Sequence, residues 1–190
     1  TCHDDIDGLA RPAGARRNGH PGMTVELSLY DPTQTYNGQK QFDCGHATIN
    51  AFVRNSLKTQ VRKNLSVAYV LTDAAQSDRF VGFYTIAQHM VDVSALSALQ
   101  LGSLPHKIPC SRLVMLGVAT HCKGQQLGSR LMKHALQLTR HVSTQIGGFG
   151  LYLDADPLAV AFYQKLGFAL LEGDKSPHPS PMFLGLSGMY

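Results

Sequence analysis

One stretch of this sequence joins an apolar run, a small-residue turn and an amphipathic segment. Residues 113–119 form a continuous apolar run of strand length, which predicts a strand buried on both faces of a sheet. Beyond the turn at 120–126, apolar residues recur on one helical face: Leu127, Leu131, Ala135, Leu138 and Val142. A strand that leads through such a turn into a helix aims unpaired N–H groups and the positive end of the helix dipole at one point. The stretch therefore predicts a binding site for phosphate.

The turn carries residue types that suit a phosphate. Gly124 and Gly128 let the main chain approach an anion closely, while Lys123 and Arg130 add positive charge. An ordinary strand-to-helix connection with two glycines has the same pattern, so both interpretations stay open. Neither a GxxxxGK[ST] motif nor a strand-linked GxGxxG motif occurs. A nucleotidase or a dinucleotide-binding dehydrogenase is therefore not expected.

Strands and helices alternate along the rest of the chain. Periodicity predicts strands at 24–30, 67–72, 79–89, 151–154, 168–171 and 182–186, and helices at 46–63, 127–142 and 158–166. Residues 92–109 are predicted to be irregular because Pro105 and Pro109 interrupt them. This alternation predicts a mixed α/β sheet covered by helices on both sides.

Size and composition predict one ordinary globular domain over residues 23–190. The chain has 190 residues, 44% of them hydrophobic and 16% charged. Residues 1–22 are rich in Gly and Pro and are predicted to be a disordered leader or an extension upstream of Met23. The longest apolar run is far below the roughly 20 residues that cross a bilayer. With no secretory segment expected, a cytoplasmic location is predicted.

The cysteines and the charge balance exclude several kinds of site. The four cysteines form no CxxC pair, which predicts free thiols. Cys44 with His46, and His121 with Cys122, are near neighbours that rarely converge on one metal ion, so no metal is expected. The net charge of +4 favours binding of anionic partners, although a charge of this size does not require such a partner.

Two stretches resemble the GNAT acetyltransferases. Residues 123–128 resemble the acetyl-coenzyme A pyrophosphate loop of that family, whose pattern is Gln/Arg-x-x-Gly-x-Gly/Ala. Residues 154–168 resemble its second and more specific signature, a strand, a helix carrying Ala-x-x-Phe-Tyr, and Gly-Phe. The matches run from about residue 40 to 186 in family order. The resemblance implies the GNAT fold, a mostly antiparallel mixed sheet with helices on both faces, and acetyl-CoA as co-substrate.

The resemblance also implies a set of cofactor-binding residues: Leu116, Gly117, Val118, Lys123, Gly124, Gln125, Gln126, Leu127, Gly128, Ser129 and Phe162. The loop departs from the family pattern at two of them. Lys123 stands where Gln or Arg is usual, which keeps a charge and loses the planar donor fork. Gln126 stands where Gly is usual, so that a side chain occupies the approach to the pyrophosphate. A weakened cofactor site is therefore an open alternative.

Acetyl transfer needs an oriented amine, hydrogen bonds to the developing oxyanion and a proton for the departing thiolate. The resemblance implies that Tyr163 is the acid that protonates the departing thiolate. Without the resemblance, a half-buried helix tyrosine would be the preferred interpretation.

The sequence shows less about a catalytic base. Aspartates placed like Asp154 and Asp156 are more often caps than paired catalytic carboxylates. No strong general base is evident. An α-amine with a pKa of about 7.7 to 8.0 is partly neutral in the cell and needs little help.

Residues 42–45, 49–52, 82–85 and 108–109 resemble the branch of the family that contains tRNA-acetylating toxins of toxin–antitoxin modules. That branch implies the α-amine of aminoacyl-tRNA as acceptor, a small antitoxin as partner, and a homodimer.

A basic row agrees with a tRNA acceptor. Arg54, Lys58 and Arg62 recur every four residues on a predicted helix and are candidate contacts to tRNA phosphates. A solvated helix face explains them equally well. Two further alternatives stay open: a GNAT enzyme for a small amine or a protein N-terminus, and a degenerate domain that binds coenzyme A or a partner without turnover.

Overall fold

The computed structural model describes residues 23–173 and 175–188, so the leader predicted at 1–22 lies outside it. Its strands are β1 (Val25–Leu29), β2 (Val67–Asp73), β3 (Arg79–Asp92), β4 (Lys107–Val118), β5 (Gly150–Ala155), β6 (Ala169–Leu170) and β7 (Ser180–Gly185). Its α-helices are α1 (Ala47–Asn55), α2 (Leu57–Arg62), α3 (Leu127–Ile146) and α4 (Val160–Lys165). None of the described helices is both long and apolar enough to span a membrane.

The strands form one seven-stranded sheet in the order β1-β2-β3-β4-β5-β7-β6. β1 runs antiparallel to β2, and β7 runs antiparallel to both β5 and β6. β4 and β5 are parallel, and α3 supplies the crossover connection that a parallel pair requires. The predicted mixed α/β class is confirmed.

The chain divides into two compact units, each assembled from separate stretches of sequence. The first contains 23–83 and 117–128, and its core includes Phe42 in edge-to-face contact with Phe80 and Phe83, at centroid distances of 5.2 and 5.7 Å. The second contains 84–116 and the described residues from 129 onward. Its core cluster consists of Val91, Leu96, Ile108, Cys110, Leu171 and Phe183. The single domain expected over 23–190 stays a prediction.

The helix predicted over 46–63 is in fact two helices. The break lies at Ser56, whose φ of −118° departs from helical geometry. Asn55 and Ser56 are poor helix formers because their side chains compete for backbone hydrogen bonds. The Ser56 N–H still donates to Phe52 and the Gln60 N–H to Ser56. The apolar stripe survives the break, since Val53 and Leu57 are both buried.

The segment predicted to be irregular, 92–109, is partly regular. It contains a 3-10 helix at Val93–Leu99 and the first residues of β4. Pro109 is tolerated in β4 because its nitrogen faces the side where pairing with β5 begins only at Ser111; on that side its carbonyl accepts a hydrogen bond from the Phe149 N–H. Helix α4 starts two residues later than predicted. Asp156 accepts a hydrogen bond from the Leu158 N–H and forms a turn before the helix.

Candidate active site

The parallel strands β4 and β5 stay together for only three residue pairs, Ser111 with Leu151, Arg112 with Tyr152 and Leu113 with Leu153. Both strands continue beyond this point, β4 to Val118 and β5 to Ala155. The last residues of β5 remain paired with β7. Beyond Leu113 the edge of β4 that faced β5 therefore offers backbone N–H and C=O groups to an extended ligand.

The exposure of β4 differs between its two faces. Val114 is 36% exposed, and Leu116 and Val118 are half-buried. The prediction that 113–119 is buried on both faces is therefore wrong: Leu113, Gly117 and Ala119 are buried, and the alternate residues of the other face are not fully covered by the described part of the chain. The strand instead presents apolar side chains that a ligand can cover.

Gly117 is the point on β4 where no side chain fits. A Cβ there would lie 3.1 Å from Ile49 Cγ2 and 3.2 Å from Phe83 Cε1. The glycine lets the strand pack tightly against α1, so this feature alone explains its presence. A contact between a cofactor and Gly117 would have to use the backbone.

The turn between β4 and α3 presents an open backbone. Gly124 has a φ of +81° and Gln126 a φ of +58°, both in the left-handed region. Apart from adjacent backbone, no atom of the described residues lies within 4 Å of a Cβ built at Gly124 or at Gly128, so both glycines face space that these residues leave unfilled. Gln126 follows the backbone path that suits glycine, at a cost of about 1–2 kcal/mol for a residue with a Cβ. Leu127 is buried and begins α3, while Ser129 is exposed.

Two side chains beside the turn bear on anion binding. Lys123 is exposed, and its Nζ would lie 3.3 Å from a Cβ at Gly45. Nearby Asp43 accepts hydrogen bonds from the Gly45 N–H and the Asn50 amide, which lower its pKa. The Gln125 Oε1 atom is buried and has no hydrogen-bond partner among the described residues. The turn thus holds one cationic group and one polar group that a ligand can satisfy.

Tyr163 lies on α4 and is only 8% exposed. Its ring packs edge-on against Phe162 at 5.2 Å and Phe168 at 5.6 Å. Burial raises its pKa to about 12, because a phenolate loses hydration in this surrounding. The hydroxyl therefore keeps its proton at physiological pH and acts as a hydrogen-bond donor.

A polar network lies where β4 and β5 part, and sequence reasoning missed most of it. Arg112 Nη2 donates to Asp154 Oδ2 at 2.7 Å, and the Tyr152 hydroxyl donates to Asp154 Oδ1 at 2.9 Å. The His89 ring stacks on Tyr152 with centroids 5.0 Å apart. Asp154 is thus an ion-pair partner. Asp156 forms a turn before α4 and does not cap that helix, whose N-cap is Ala159, so the expectation that the two carboxylates are caps is wrong. The available signal was Arg112, a charge directly before the apolar run at 113–119.

The predicted basic row is divided between two helices. Arg54 lies on α1 and its Nη2 donates to the Phe42 carbonyl at 2.9 Å, whereas Lys58 and Arg62 lie on α2. Arg54 and Arg62 are exposed and Lys58 is half-buried. The three cations therefore do not share one continuous helix, although each retains some access to solvent.

Other candidate groups do not form a site in the part of the chain that the structure describes. Cys44, Cys110 and Cys122 are free thiols, as predicted, and burial raises the pKa of each. A raised pKa disfavours the nucleophilic thiolate. No group of three or more His, Cys, Asp or Glu side chains among the described residues is arranged to hold a metal ion.

Comparison with known proteins decides the family. Residues 33–176 match the acetyltransferase (GNAT) domain. The chain belongs to the GNAT family. Membership confirms the resemblance that the sequence motifs indicated.

Several solved structures are similar to this chain along most of their length. One, described as a bacterial toxin, is 36% identical with a TM-score of 0.83, over 88% of this chain and 93% of that one. AtaTR bound with acetyl-CoA is 27% identical with a TM-score of 0.74, over 87% and 95%. AtaT complexed with acetyl-methionyl-tRNAfMet is 25% identical with a TM-score of 0.77, over 87% and 97%.

Proposed function

We propose that this GNAT protein transfers the acetyl group of acetyl-CoA to the α-amine of an aminoacyl-tRNA. The observation that carries the proposal is its likeness to AtaT in complex with acetyl-methionyl-tRNAfMet, which extends over 87% of the chain. The similar bacterial toxin supports a role as the toxin of a toxin–antitoxin module. Such a toxin would act in the cytoplasm, pair with a small antitoxin and form a homodimer.

Acetyl-CoA is proposed to bind along 116–118 with its pyrophosphate over 123–128. The free edge of β4 offers backbone groups to the pantetheine amides, and the turn offers open backbone at Gly124 and Gly128. The N-terminus of α3, a helix of 20 residues, adds a favourable dipole. Lys123 supplies charge, and Ser129 and Phe162 complete the proposed set of contacts. The left-handed backbone at Gln126 supports a loop that keeps the family path despite its side chain.

The proposed chemistry is direct attack of a neutral amine on the thioester. The nitrogen bonds to the acetyl carbon, the C–S bond breaks, and a proton that leaves the nitrogen ends on the sulfur. Tyr163 is proposed to donate its hydroxyl hydrogen bond to the departing sulfur. Because its pKa is about 12 and that of a thiol is about 8.5, a lasting phenolate is disfavoured. The hydroxyl therefore passes a proton on while regaining one from the acceptor nitrogen.

The acceptor is proposed to be held through tRNA phosphates as well as through its amine. Arg54, Lys58 and Arg62 are the proposed phosphate contacts, since each reaches solvent. An α-amine suits a site with little basic assistance because it is already partly neutral near pH 7.7 to 8.0. A lysine side chain, with a pKa of about 10.4, would be a poorer acceptor.

A thiol-release assay tests this function. The purified protein is given acetyl-CoA with total aminoacyl-tRNA, with the same tRNA after deacylation, or with small primary amines. We expect free coenzyme A to appear rapidly only with the charged tRNA. Equal release with small amines would instead support a small-amine acetyltransferase, and binding of acetyl-CoA without release would support a degenerate domain.

A further inference from the structure

The free edge of β4 ends at a fixed point inside the second unit. The β4–β5 ladder consists of three pairs and ends at Leu113 and Leu153. Beyond Leu113, residues 114–116 of β4 are not paired with β5 and are open to an extended ligand. We call the space beside them the opening. Its inner end lies at Leu113, because a ligand on this edge has to stop where the two strands are paired.

The acyl group of a bound donor would lie at this inner end. In the acetyl-CoA site proposed above, the pyrophosphate lies over 123–128 and the pantetheine arm runs back along 116–118. The acyl group is the far end of that arm, so it comes to rest near Leu113. The side chains of Leu113 and Leu153 are only 4% and 2% exposed and fill one face of the sheet there. An acyl group can therefore extend only toward the other face.

That other face carries three linked side chains. They are Arg112, Tyr152 and Asp154, which lie on the face opposite the two leucines because successive residues of a strand alternate. Arg112 Nη2 donates to Asp154 Oδ2 at 2.7 Å, and Asp154 is one residue beyond the last pair of the ladder. The Tyr152 hydroxyl donates to Asp154 Oδ1 at 2.9 Å, and the Arg112 guanidinium lies over the Tyr152 ring at 5.7 Å. We call these three side chains the clamp.

The clamp is well ordered by its contacts and yet faces open space. Each oxygen of Asp154 has its own donor, which fixes the carboxylate, and the His89 ring stacks on Tyr152 at 5.0 Å. The side chains of Arg112 and Asp154 are nevertheless 41% and 33% exposed. An ion pair with this exposure contributes little to stability. Its stabilising effect therefore does not account for a pair placed at the inner end of the opening.

A cavity of about 400 Å³ adjoins the clamp. Tyr152 and Asp154 line it together with His89, whereas residues 112–116 of β4 do not. All of these residues belong to the second unit. The clamp therefore joins the edge of β4, through Arg112, to the wall of the cavity. An acyl chain longer than acetyl needs space of the kind that this cavity holds.

We propose that the clamp closes the inner end of the opening and restricts the acyl group of the donor to acetyl. The inference rests on the acetyl-CoA site proposed above. With the clamp in place, an acetyl group fits beside the main chain at Leu113, and a longer chain meets the Arg112–Asp154 ion pair. Without the clamp, the longer chain extends into the cavity. The three side chains determine specificity and take part in no bond-making step.

Binding of acyl-CoA thioesters of increasing length tests the clamp without any acceptor. Calorimetric titration gives the Kd of the protein for acetyl-CoA, propionyl-CoA and butyryl-CoA. The parent should bind propionyl-CoA at least about tenfold more weakly than acetyl-CoA, since one methylene group can change discrimination by roughly 10- to 200-fold. Asp154→Ala frees both Arg112 and Tyr152. In this variant the three Kd values should lie within about threefold of one another, because the added methylene groups no longer meet the clamp.

A second variant and a matched control separate selectivity from folding. Arg112→Ala removes the other partner of the ion pair and should relax selectivity to the same extent. The double variant should add nothing further, because both changes break one contact. The control is Glu172→Ala, which breaks the Lys175–Glu172 ion pair on another side of the cavity and should retain the preference for acetyl-CoA. If Asp154→Ala weakens binding of all three thioesters equally, the clamp has a merely structural role and the inference is overturned.

The outcome is separable from that of the proposed function. A parent that binds all three thioesters alike, while it still acetylates charged tRNA, would overturn the clamp alone. Graded binding in a protein that acetylates no charged tRNA would overturn the proposed acceptor and retain the clamp. Failure to bind any of the thioesters would overturn both the proposed acetyl-CoA site and the clamp.

Discussion

The turn at 120–128 and the clamp of Arg112, Tyr152 and Asp154 are two regions of the proposed donor site built in opposite ways. The turn offers main-chain groups, with unfilled space beside Gly124 and Gly128. The clamp is built from side chains on separate strands, joined by the Arg112–Asp154 ion pair and the Tyr152 hydroxyl. A backbone site suits a constant group such as a pyrophosphate, whereas a side-chain site suits discrimination between groups that differ by a few atoms.

This difference predicts which property each region controls. Changes in the turn should weaken binding of acetyl-CoA, and changes among the side chains of the second unit should alter turnover or the choice of acyl group. The comparison fails if a change in one region produces the effect expected of the other.

Gly128→Asp should produce the largest effect, loss of measurable acetyl-CoA binding. The new carboxylate adds bulk and negative charge where the pyrophosphate is proposed to lie. Binding is measured by calorimetric titration. Because a Cβ at Gly128 meets no atom within 4 Å, Gly128→Ala is a suitable control and should fold at least as stably as the parent. Unchanged affinity in the Asp variant would place the cofactor elsewhere.

Tyr163→Phe should lower kcat by about 10² to 10⁴ while the Kd for acetyl-CoA stays nearly constant. The substitution removes one hydroxyl and keeps the ring that packs against Phe162 and Phe168. Single-turnover acetylation measures the rate of the chemical step, and titration measures the Kd for acetyl-CoA. Phe162→Leu is the companion variant, which should affect acetyl-CoA binding more than the chemical step. Equal thiol release from Tyr163→Phe and parent would remove Tyr163 from the mechanism.

The pKa of Tyr163 adds a check on the same variant. Its folded pKa of about 12 lies above its usual value of 10, so the protonated form is favoured in the folded state. The corresponding stability is present below pH 10 and is lost as the pH rises toward 12. The parent should therefore lose stability relative to Tyr163→Phe between pH 10 and 12, as measured by denaturant unfolding. Parallel stability curves in that range would contradict the raised pKa.

The two regions also differ in how well the sequence predicted them. The strand, turn and helix at 113–146 form one continuous stretch, so periodicity and glycine placement revealed them. The clamp depends on the pairing of Arg112 with Tyr152, which are 40 positions apart and meet only through the β4–β5 register. No local pattern reports such a pairing. The prediction that 113–119 is buried on both faces failed for a similar reason, because an apolar run does not report whether other elements cover both faces of a strand.

Charge reversal of Arg54, Lys58 and Arg62 should have an intermediate effect, confined to the acceptor. The KM for charged tRNA should rise about tenfold, and the slope of its salt dependence should fall by about one for each phosphate that is no longer neutralised. The KM for acetyl-CoA should not change. The control reverses Lys40, Lys107 and Lys133, which are exposed cations outside the row. If both triple variants behave alike, only net charge matters and the row is a solvated face.

Gln126→Gly should have the smallest effect. It tests whether the side chain in the turn at 120–128 costs stability or hinders acetyl-CoA. It removes a Cβ from a residue with a φ of +58°, which should raise stability by about 1 kcal/mol in thermal or urea unfolding. Gln145→Gly, within α3, should instead lower stability by about 1 kcal/mol. A tighter Kd for acetyl-CoA in Gln126→Gly would show that the side chain hinders the cofactor. A destabilised variant would show that the Gln126 side chain makes a favourable interaction, which outweighs the energetic cost of its left-handed backbone.

The most direct measurement follows the acetyl group itself. The protein is incubated with acetyl-CoA labelled in the acetyl group and with total aminoacyl-tRNA, and mild base then releases the amino acids for identification. The label should appear as N-acetyl-amino acid from charged tRNA, be absent after prior deacylation, and be much reduced with Tyr163→Phe. Label found only on protein N-termini or small amines, with none on charged tRNA, would contradict the proposed acetylation of aminoacyl-tRNA.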